Sequence, residues 1–489
     1  MSANFDDVLR FLRTKNESVN VRSKSQDDFF NAQISEVISD SRDVKPGTLF
    51  ACITGENSDG HKFVSMAESG GAVALLCEHE VDSELPQIIV PHVRDHLGEI
   101  ASLVYGNPSE KLLMVGVTGT NGKTTTTYIT RSILQAAGIR TGLLGTIIES
   151  DGVNDKDADR TTPESCIVQR QLAHMVENGC GACVMETSSH GLFLGRLKGA
   201  LYDVPVFTNL YPEHLDFHKD MENYFAAKKL LFTNYTKKNY KGAVNSDDPY
   251  GKRLLDEFPN HLSGFGLKNI VSSKTSIDGT DLVIQAEGYE PLRLHSPLVG
   301  DFNIMNTLCA VTAMRGRVDD DSIVKGIADV PQVPGRLERI DLNNGACVFV
   351  DFAHTPSALR SVLGVIRKLS GNDRRIVSVF GHGGGRYQQN RPELGRAASE
   401  FADEIIITSD NARDEDPAAI AQAIAGGASI PYRIITDRPE AVRVGLDGLK
   451  SGDILVITGK GPEKFITIKD KKIPFNDAES VKAWRDSHE

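Results

Sequence analysis

The chain has 489 residues, which is more than one hydrophobic core usually accommodates, and this length predicts two to four domains. Hydrophobic residues make up 40% of the sequence and charged residues 25%, as in ordinary globular proteins. The formal net charge of −12 argues against a broad nucleic-acid surface and against attachment to an anionic membrane, but it leaves room for local basic pockets that bind small acidic ligands.

The amino-terminal stretch MSANFDDVLRFLRTKN has early acidic residues and no apolar core, so it does not resemble a signal peptide. No later stretch approaches the roughly 18 apolar residues of a membrane span. We therefore expect a cytoplasmic protein without membrane insertion and without a nucleic-acid partner. The seven cysteines fit reduced thiols, and the C-x-x-C pair Cys180 and Cys183 runs into an apolar segment, which favours buried thiols over metal or redox chemistry.

Short apolar runs recur along the chain, and each ends in small or polar residues followed by a helix-like segment. In order, the runs are LLMVGVTGTNGKTT, ACVMETSSHG, VPVFTNLYPEH, CVFVDFAHTPSAL, RIVSVFGHGGGR, EIIITSDNARDEDP and DILVITGKG. Strands alternating with helices predict an α/β fold with mainly parallel sheets, whose ligands gather at the carboxyl ends of the strands. Functional side chains are therefore expected just after each run.

Changes of sequence texture predict three domains. Residues 1–110 have a mixed sequence without a phosphate motif, and residues 111–334 contain one nucleotide-binding unit. Residues 335–489 begin a new series of strands and helices at the segment PGRLERI.

The segment VGVTGTNGKTTTTYIT predicts a phosphate-binding loop between a strand and a helix. Backbone amides of the Gly-rich turn and of the helix N-terminus can bind phosphate, the Lys123 ammonium adds a positive charge, and the Thr124 hydroxyl suits Mg²⁺. The spacing departs from G-x-x-x-x-G-K-[ST], which would require glycine at Val117. Nucleotide binding alone leaves an ATPase, a kinase, a ligase and a switch protein open.

Acidic and imidazole side chains follow two further runs. Glu186 ends one run, and Glu213, His214, Asp216 and His218 follow another. At one sheet edge, a carboxylate and an imidazole could hold a divalent metal beside the nucleotide phosphates. Acids and histidines are also common at strand ends that bind no metal.

The segment MENYFAAKKLLF predicts an amphipathic helix with two adjacent lysines. Lys228 shares a face with Tyr224, and Lys229 shares a face with Phe225, so periodicity does not decide which lysine points inward. Residue chemistry alone favours two lysines that lay their methylene chains on the protein and keep their ammonium groups in water.

Together these motifs resemble the Mur ligase family, and most closely its branch that adds the third residue of the peptidoglycan stem peptide. The matching segments, in chain order, are DSR, GVTGTNGKTT, TTPES, METSSHGL, HLDFH, YFAAKKLLF, GDFNIMN, PGRLERI, DFAHTPSAL, SDNAR and GKGPE. The resemblance implies the three-domain Mur ligase architecture: an amino-terminal UDP-sugar domain, a P-loop central ATPase domain, and a Rossmann-like carboxyl-terminal domain that contacts the amino acid and ATP.

The resemblance also implies a reaction. ATP phosphorylates the terminal D-glutamate carboxylate of UDP-N-acetylmuramoyl-L-alanyl-D-glutamate, a diamino acid attacks the acyl phosphate, and an amide forms as phosphate leaves. ATP and Mg²⁺ are the implied cofactors, and the chain is expected to be a monomer. Catalytic positions of the family fall on Lys123, Glu186, His214 and Lys228, and its metal ligands fall on Thr124, Glu186, His214 and Lys228. The family's lysine is carbamylated, which turns a cation into an anionic oxygen ligand.

The remaining contacts of the family fall on identifiable positions of this sequence. Nucleotide contacts fall on Gly119, Thr120, Asn121, Gly122, Lys123, Thr124, Thr125, Asn306, Arg336 and Asp351, of which Arg336 and Asp351 are expected near the ribose. Sugar-peptide contacts fall on Ser39, Ser41, Glu56, Asn57, Ser58, Thr161, Thr162, Ser188 and Arg196. Leu194 replaces a frequent glutamine and Arg160 a frequent asparagine, which leaves open how the sugar-peptide is held.

The motif D-N-P-R of relatives that use meso-diaminopimelate reads Asp410, Asn411, Ala412 and Arg413 here. A guanidinium binds a carboxylate through two hydrogen bonds, so Arg413 favours meso-diaminopimelate, whose distal carboxylate lysine lacks. Further family contacts to this substrate fall on Arg386, Gly459 and Glu463. Ala412 in place of proline, and a GGGRYQQNRP loop without the usual acid and lysine, keep L-lysine, ornithine and other diamino acids as alternatives.

Two other classes of protein are weighed against this one. A ligase similar to folylpolyglutamate synthase would share the central fold, but the segment SDSRDVKPGTLFACITGENSDGH resembles a UDP-sugar domain instead. A non-catalytic nucleotide-binding homologue would not be expected to keep Lys123, Glu186, His214 and Lys228.

Overall fold

The computed structural model describes residues 3–15, 18–23, 29–55, 58–286 and 288–488. The chain divides into two compact units. The first comprises Met1–Asn269, Ala286–Glu290 and Asn306–Gly326, and the second comprises Ile270–Gln285, Pro291–Met305 and Ile327–Glu489. Among the helices that the model describes, none is both long enough and apolar enough to cross a membrane.

The amino-terminal part of the first unit is built on a five-stranded sheet. The five strands are β2 (Asn20–Arg22), β4 (Glu36–Ile38), β5 (Thr48–Ala51), β6 (Ala72–Cys77) and β7 (Gln87–Ile89). Two further strands, β1 (Ala3–Asn4) and β3 (Gln33–Ile34), pair with each other in a separate antiparallel sheet. The helices of this part are α1 (Phe5–Thr14), α2 (Val64–Ser69) and α3 (Val93–Val104). The sheet order is β2-β7-β6-β5-β4, with β4 to β7 parallel and β2 antiparallel to β7. Helices α1 and α3 bury their apolar faces on this sheet, as Leu9 and Leu97 illustrate.

The central part of the first unit is built on an eight-stranded sheet. Its strands are β8 (Leu113–Thr118), β9 (Thr141–Leu144), β10 (Ile148–Ser150), β11 (Asp155–Asp157), β12 (Ala182–Glu186), β13 (Val204–Phe207), β14 (Gly242–Asn245) and β15 (Leu262–Phe265). Its helices are α4 (Lys123–Ala136), α5 (Ser165–Glu177), α6 (Ser189–Phe193), α7 (Leu215–His218), α8 (Met221–Thr233) and α9 (Pro249–Glu257).

The strand order in this sheet decides where the functional residues meet. The order is β11-β10-β9-β12-β8-β13-β14-β15, and the six strands from β9 to β15 in that order are parallel. β8, β12 and β13 are adjacent central strands with almost continuous apolar sequence, as expected of strands covered on both faces. Their carboxyl ends lie side by side, so the segments that follow them share one sheet edge.

Between the central part and the last sheet, the chain forms a small antiparallel sheet and two helices. These elements are β16 (Ile270–Ser276), β17 (Gly279–Ile284), β18 (Leu292–Ser296), α10 (Asp301–Met314) and α11 (Asp320–Ala328). The three strands pair in the order β16-β17-β18. Arg339 ties the turn after β16 to the last sheet, since its guanidinium donates to Ile277 O at 2.6 Å and to Asp278 Oδ1 at 2.8 Å.

The carboxyl-terminal part of the second unit contains a six-stranded sheet. Its strands are β19 (Glu338–Asp341), β20 (Cys347–Asp351), β21 (Ile376–Phe380), β22 (Glu404–Ile407), β23 (Tyr432–Ile434) and β24 (Ile454–Thr458), followed by the hairpin β25 (Phe465–Ile468) and β26 (Lys471–Pro474). Its helices are α12 (Pro356–Ser370), α13 (Asn390–Ser399), α14 (Pro417–Ala425), α15 (Arg438–Asp447) and α16 (Asp477–Ser487). The order is β19-β20-β24-β21-β22-β23, and only β19 is antiparallel to its neighbour among these six strands.

Helices cover both faces of this last sheet. Phe349 and Ile405 point to one face, where they pack with residues of α12, α13 and α14, and the next residue of each strand points to the other face, towards α15 and α16. This arrangement is the doubly wound α/β fold that the alternating runs predict. All seven predicted apolar runs form parallel strands: β8, β12, β13, β20, β21, β22 and β24.

Candidate active site

The predicted phosphate loop joins the end of β8 to the start of α4. Gly119 and Gly122 have φ angles of +145° and +84°, a backbone conformation that residues with a Cβ rarely adopt. A Cβ at Gly119 would collide with Thr208 Oγ1, and one at Gly122 would collide with Asn306 Oδ1. Because α4 begins directly after the loop, its first-turn amides have no partner within the helix and suit an anion.

Two residues after β13 hold the loop in place. Asn121 N donates to Asn209 Oδ1 at 2.9 Å, Thr120 N donates to Asn209 O at 2.9 Å, and Thr208 Oγ1 donates to Asn121 O at 2.6 Å. Sequence reasoning missed Thr208 and Asn209. The available signal was their position directly after a predicted strand, in the segment VFTN.

The Lys123 side chain lies over the predicted phosphate loop. Its Nζ donates to Gly119 O at 3.0 Å and to Thr120 O at 2.8 Å. The remaining loop positions that were predicted to contact nucleotide, Thr124 and Thr125, are buried in the first turn of α4. The ammonium group therefore lies at the end of the helix where a phosphate would bind.

Glu186 ends β12, which neighbours β8 in the sheet. Its buried carboxylate accepts hydrogen bonds from Thr124 Oγ1 at 3.1 Å, from Thr146 N at 2.8 Å and from Thr146 Oγ1 at 3.0 Å. Two of the predicted metal ligands, Thr124 and Glu186, are thus in direct contact. Thr146 was missed because it follows the short strand β9, which no predicted motif includes.

The two adjacent lysines of α8 have opposite surroundings. Lys228 is 1% exposed, and its Nζ donates to Gly119 O at 2.8 Å and lies 4.6 Å from the centre of the Tyr224 ring. Lys229 has a side chain that is 30% exposed and pairs with Glu257 at 2.5 Å. The expectation from residue chemistry that both ammonium groups reach water is therefore wrong for Lys228, because its face of α8 packs against β8 and the phosphate loop.

Burial changes the protonation chemistry of Lys228. Desolvation, and then the charge of Lys123, hold the pKa of the Lys228 ammonium well below its ordinary value, against the opposing charge of Glu213. A neutral amine is the form that can add to carbon dioxide, which an ammonium cannot do. The site thus favours the form of Lys228 that carbamylation requires.

His214 lies before α7 in a left-handed conformation, with φ of +57° and a ring that is 47% exposed. Its ring contacts the His190 ring edge to face, with 4.8 Å between the ring centres. His218 is buried, its Nε2 lies 3.0 Å from Ser189 Oγ, and burial lowers the pKa of its imidazole to about 4. Burial also lowers the pKa of His190. His190 was missed, although it lies within the quoted segment METSSHGL.

This donor set fits a hard divalent cation. The Glu186 carboxylate and the Thr124 hydroxyl are oxygen ligands of the kind that Mg²⁺ prefers. The His214 imidazole and, after carbamylation, Lys228 would complete the protein's contribution. When bound, the ion would neutralise phosphate charge and polarise the bond to the transferred phosphoryl group.

Predicted sugar-peptide residues lie in two places. Thr162 Oγ1 donates to Glu186 O at 3.1 Å and accepts from Ser188 N at 3.1 Å, and Thr161 Oγ1 lies 3.0 Å from Thr146 Oγ1. These residues are therefore directly linked to the Glu186 site.

The other predicted sugar-peptide residues belong to the amino-terminal part. Ser39 Oγ lies 3.6 Å from Cys166 Sγ, Ser41 Oγ donates to Met66 Sδ at 3.2 Å, and Ser58 O accepts from Gly55 N at 2.9 Å. The predicted contacts Glu56 and Asn57 lie outside the described residues.

Arg196 belongs to a group of three guanidinium groups around one carboxylate. Glu164 pairs with Arg94 at 2.9 Å, with Arg196 at 3.2 Å and with Arg160 at 3.6 Å. Asp159 also lies 3.6 Å from Arg160, so two carboxylates face three guanidinium groups. The remaining positive charge suits an additional anion. Arg160, the departure from the family pattern, adds to the positive charge beside Arg196. Leu194, the other departure, ends α6 at its C-cap.

Of the other nucleotide contacts, Asn306 lies in the first unit, buried beside Gly122. Asp351 and Arg336 lie in the second unit. Asp351 accepts from Leu337 N and Ala353 N, both at 2.8 Å, and burial raises the pKa of its carboxyl group. The Arg336 guanidinium lies 5.4 Å from the centre of the Phe352 ring.

Arg413 follows β22 in the second unit, with φ of +52°. Its guanidinium donates to Gly384 O at 2.6 Å, and no ion pair among the described residues joins it to an acidic side chain. Glu415 instead pairs with Arg391 at 2.8 Å, and Asp416 caps α14 by accepting from Ala418 N at 3.0 Å. Two of the acidic neighbours of Arg413 in sequence, Glu415 and Asp416, are therefore engaged elsewhere.

The other predicted amino-acid contacts surround this loop. Asn411 Nδ2 donates to Glu463 Oε2 at 2.9 Å. Gly459 has a φ of +111°, and a Cβ added to it would lie 3.1 Å from Asp410 Oδ2. Ala412 is fully buried. Its carbonyl oxygen packs directly against Gly384, where an added Cβ would collide with that oxygen. Packing thus fixes the backbone at Ala412 without proline. Arg386 is exposed, in the loop after β21.

Lys460 joins these residues and was missed by sequence reasoning. Its side chain is fully buried, and its Nζ donates to Glu463 Oε2 at 2.7 Å and to Asn411 Oδ1 at 3.2 Å. The quoted segment GKGPE was its only signal. Lys460 fixes the orientation of both the amide and the carboxylate.

A buried ion pair stabilises the segments that contain Asp410 and Gly459. Arg438 and Asp477 are both fully buried and are joined by hydrogen bonds of 2.8 and 2.7 Å. Arg438 also donates to Ser409 O at 3.2 Å and to Thr458 O at 2.9 Å. These carbonyls immediately precede Asp410 and Gly459, so the pair positions both site segments.

Comparisons with known families place matches along most of the chain. Residues 33–105 match the model described as "Mur ligase family, catalytic domain", residues 117–314 match "Mur ligase middle domain", and residues 335–461 match "Mur ligase, glutamate ligase domain".

Individual proteins are similar over almost their full length. A UDP-N-acetylmuramoyl-L-alanyl-D-glutamate--2,6-diaminopimelate ligase of Chlorobaculum tepidum is 39% identical over 471 residues, which cover 92% of each chain. The Aquifex aeolicus protein of the same name is 40% identical over 460 residues, covering 93% of this chain and 94% of the other. A solved structure of a ligase with that name is 27% identical, with a TM-score of 0.69, and covers 100% of this chain and 99% of the other.

Proposed function

The chain belongs to the Mur ligase family, and from this premise we propose that it joins diaminopimelate to UDP-N-acetylmuramoyl-L-alanyl-D-glutamate at the cost of ATP. Relatives that are 39% and 40% identical carry the name of this activity. The observation that carries the proposal is Arg413, a half-buried guanidinium with a carbonyl partner and no acidic partner among the described residues, beside the Lys460, Asn411 and Glu463 network.

The geometry supports meso-diaminopimelate over lysine. Arg413 has the planar donor pair that a distal carboxylate requires, and lysine has no such group to offer. Glu463 is an acid that suits an ammonium group of the incoming amino acid, and Lys460 holds that acid in place. The alternatives L-lysine and ornithine would leave Arg413 partly desolvated without an anion, which costs binding energy.

The reaction proceeds through an acyl phosphate. The γ-carboxylate of D-glutamate attacks the γ-phosphorus of ATP, and ADP leaves. The amine of diaminopimelate then attacks the acyl carbon, the amide C–N bond forms, the C–O bond to phosphate breaks, and the amine releases a proton. Two anions must meet in the first step, so Lys123 and the first-turn amides of α4 stabilise the phosphoryl oxygens.

Mg²⁺ is the cation that this set of ligands suits. Thr124, Glu186, His214 and carbamylated Lys228 would hold it beside the phosphate loop. The three guanidinium groups at Glu164 suit the anionic sugar-peptide. Thr161 and Thr162 directly follow Arg160 in sequence, and Ser188 contacts Thr162. Ser39, Ser41 and Ser58 would contact the UDP-sugar end.

Each part of the chain has a proposed task. Residues 1–110 bind the UDP-sugar, residues 111–334 bind and use ATP, and residues 335–489 bind the amino acid and, through Arg336 and Asp351, the nucleoside. We place the reaction in the cytoplasm and assign it to a monomer.

The proposed reaction is tested by phosphate release. Purified protein with ATP and Mg²⁺ should release phosphate at a substantial rate only when both UDP-N-acetylmuramoyl-L-alanyl-D-glutamate and meso-diaminopimelate are present. If ¹⁸O is placed in the γ-carboxylate of the D-glutamate, one labelled oxygen should appear in the phosphate. Phosphate release that is independent of the amino acid, or phosphate without label, would contradict the mechanism.

A further inference from the structure

Three soft donor side chains meet at the carboxyl ends of β5 and β6, outside the site described above. Cys52 follows β5 and Cys77 ends β6, and these strands are parallel neighbours joined by Cys52 N donating to Leu76 O at 2.8 Å. His61 lies in the turn that follows the loop after β5. One ligand atom from each of the three residues lies within 4.8 Å of the others, and all three residues are buried.

The spacing of the sulfur atoms suits a tetrahedral metal ion. Cys77 Sγ lies 3.7 Å from Cys52 Sγ. Two thiolates at the usual Zn–S bond length of about 2.3 Å and a tetrahedral angle are separated by about 3.8 Å. The two sulfur atoms therefore already have the separation that zinc imposes. The same distance also fits a hydrogen bond between two thiols, so the spacing needs support from the surroundings.

The surroundings favour a cation. Two carboxyl groups lie next to the cluster: Asp59 Oδ1 is 2.7 Å from His61 Nδ1, and Glu78 directly follows Cys77. Glu78 accepts from Thr54 Oγ1 at 2.8 Å and from Val93 N at 3.1 Å, so its carboxyl group is held in place. A divalent cation would lower the energy of both thiolates and of the two acids at once.

The His61 ring is oriented as metal-bound histidines usually are. Its Nδ1 lies 2.7 Å from Asp59 Oδ1, and its Nε2 accepts from Glu78 N at 3.0 Å. The Asp59 carboxylate favours the tautomer with the proton on Nδ1, in which the electron pair of Nε2 accepts from Glu78 N and is available for exchange with a metal. Metal binding at Nε2 would exchange the hydrogen bond from Glu78 N for a metal bond.

We propose that Cys52, His61 and Cys77 bind one zinc ion, with an oxygen ligand in the fourth position. Binding breaks two S–H bonds, forms two Zn–S bonds, one Zn–N bond and one Zn–O bond, and releases the two thiol protons to solvent. The ion joins the ends of β5 and β6 to the turn at His61. Its role is structural, and two of its ligands, Cys52 and His61, flank the proposed sugar contact Ser58 in sequence.

Metal content tests this proposal. Full-length protein is purified in a phosphine reductant, incubated with zinc in the presence of excess Mg²⁺ to occupy the phosphate-loop site, freed of unbound metal and measured by mass spectrometry of the elements. We expect about one zinc per chain. Cys77→Ser and Cys52→Ser should each lose it. Cys180→Ser should keep it, since Cys180 is a buried thiol of the C-x-x-C pair and donates to Asp151 O.

A second measurement keeps the proposal testable if the serine variants do not fold. Cobalt(II) added to the unaltered protein and to Cys180→Ser should give the ultraviolet band of cobalt–thiolate bonds and the visible bands of tetrahedral cobalt, and one equivalent of zinc should remove both. Absence of bound zinc and of these bands, zinc retained after loss of both Cys52 and Cys77, or a Cys52–Cys77 disulfide in protein purified without reductant would each overturn the proposal.

Discussion

Arg413 is the residue on which the choice of amino acid depends. Its neighbours in sequence are mostly acidic, yet Glu415 pairs with Arg391 and Asp416 caps α14. The guanidinium itself donates to a backbone carbonyl. Helix α14 begins directly after these acids, at Pro417. Which acids pair with which arginines depends on tertiary contacts, so only the structure reveals that Arg413 has no acidic partner among the described residues.

Arg413→Ala should raise the KM for meso-diaminopimelate by about 10- to 100-fold, because charge-assisted hydrogen bonds to the distal carboxylate are lost. The KM for ATP should change by less than about 2-fold. Arg443→Ala is the matched control, since Arg443 is an exposed arginine whose ion pairs, in the part of the chain that the structure describes, are those with Glu440 and Asp447 on the surface of α15. Steady-state kinetics with all three substrates varied in turn measure these constants. An unchanged KM for meso-diaminopimelate would remove Arg413 from the proposed site.

Sequence periodicity does not decide which of Lys228 and Lys229 points into the protein. Each shares a helical face with an aromatic residue, so either could point inward. In the structure Lys228 contacts Gly119 O, whereas Lys229 reaches Glu257 at the surface. The deciding factor is the packing of α8 on β8, which the sequence of one helix does not encode.

Lys228→Ala should reduce ligation at least about 100-fold, since a metal ligand is lost, and added bicarbonate should not restore it because the amine is absent. Lys229→Ala should keep activity within about 2-fold, as expected for an exposed ion pair. ¹³C-labelled bicarbonate should give a carbamate signal in the NMR spectrum of the unaltered protein that is absent in Lys228→Ala. Full activity of Lys228→Ala would exclude the carbamate as a catalytic group.

At the scale of elements, the phosphate loop depends on the strand beside it. The sequence predicts the strand, the loop and the helix, because Gly residues and the segment GKT carry a local signal. It does not predict that Thr208 and Asn209 after β13 hold the loop, since that contact follows from the strand order β12-β8-β13. Thr146 is missed for the same reason.

Gly119→Ala should weaken binding of ADP with Mg²⁺ by at least about 10-fold, because its φ of +145° and the collision with Thr208 force the loop to move. Gly138→Ala is the control. Gly138 also has a positive φ, of +77°, but a Cβ there meets no atom within 4 Å, so that variant should lose stability and keep its affinity for ADP. Isothermal titration calorimetry compares the two. Equal affinities of the two variants for ADP would show that the phosphate loop tolerates the displacement caused by a Cβ at position 119.

The pair formed by Arg438 and Asp477 links helix α15 to helix α16. Arg438→Met leaves the Asp477 carboxylate buried without a partner, which should destabilise the carboxyl-terminal part by about 3–5 kcal/mol. The double variant Arg438→Met, Asp477→Leu should recover part of that loss because it buries no charge. The single tryptophan of the chain, Trp484, lies on α16, so its fluorescence during urea unfolding reports this region. A single variant as stable as the unaltered protein would contradict the structural role of the pair.

At the scale of the whole molecule, the sequence predicts the α/β class, and the seven apolar runs all form parallel strands. Many of the candidate site residues, such as Glu186 and Asp410, lie at or directly after the ends of these strands. The sequence does not predict the small antiparallel sheet β16-β17-β18, whose strands are partly polar and carry no motif. It also does not predict the Cys52, His61 and Cys77 cluster, because strands β5 and β6 are separated by a loop and a helix and become neighbours only in the folded sheet.

Buried polar side chains form the largest class of missed residues. Lys460, Arg438 and Thr208 each hold another group of the candidate site in place, and each makes at least one contact to a residue distant in sequence. Charged residues are rarely fully buried, so residue type alone predicts that side chains such as those of Lys460 and Arg438 are exposed. Their supporting role depends on the assembled sheet edge rather than on a local motif.

The central claim is that the chain adds a diamino diacid to the sugar-dipeptide. The most direct test is a competition in which equal concentrations of meso-diaminopimelate and L-lysine react together with ATP, Mg²⁺ and UDP-N-acetylmuramoyl-L-alanyl-D-glutamate, and the products are separated by mass. We predict that the diaminopimelate adduct forms in at least about 10-fold excess, from the charge-assisted contact to Arg413, and that this excess disappears in Arg413→Ala. Equal amounts of both adducts with the unaltered protein, or a predominance of the lysine adduct, would contradict the account.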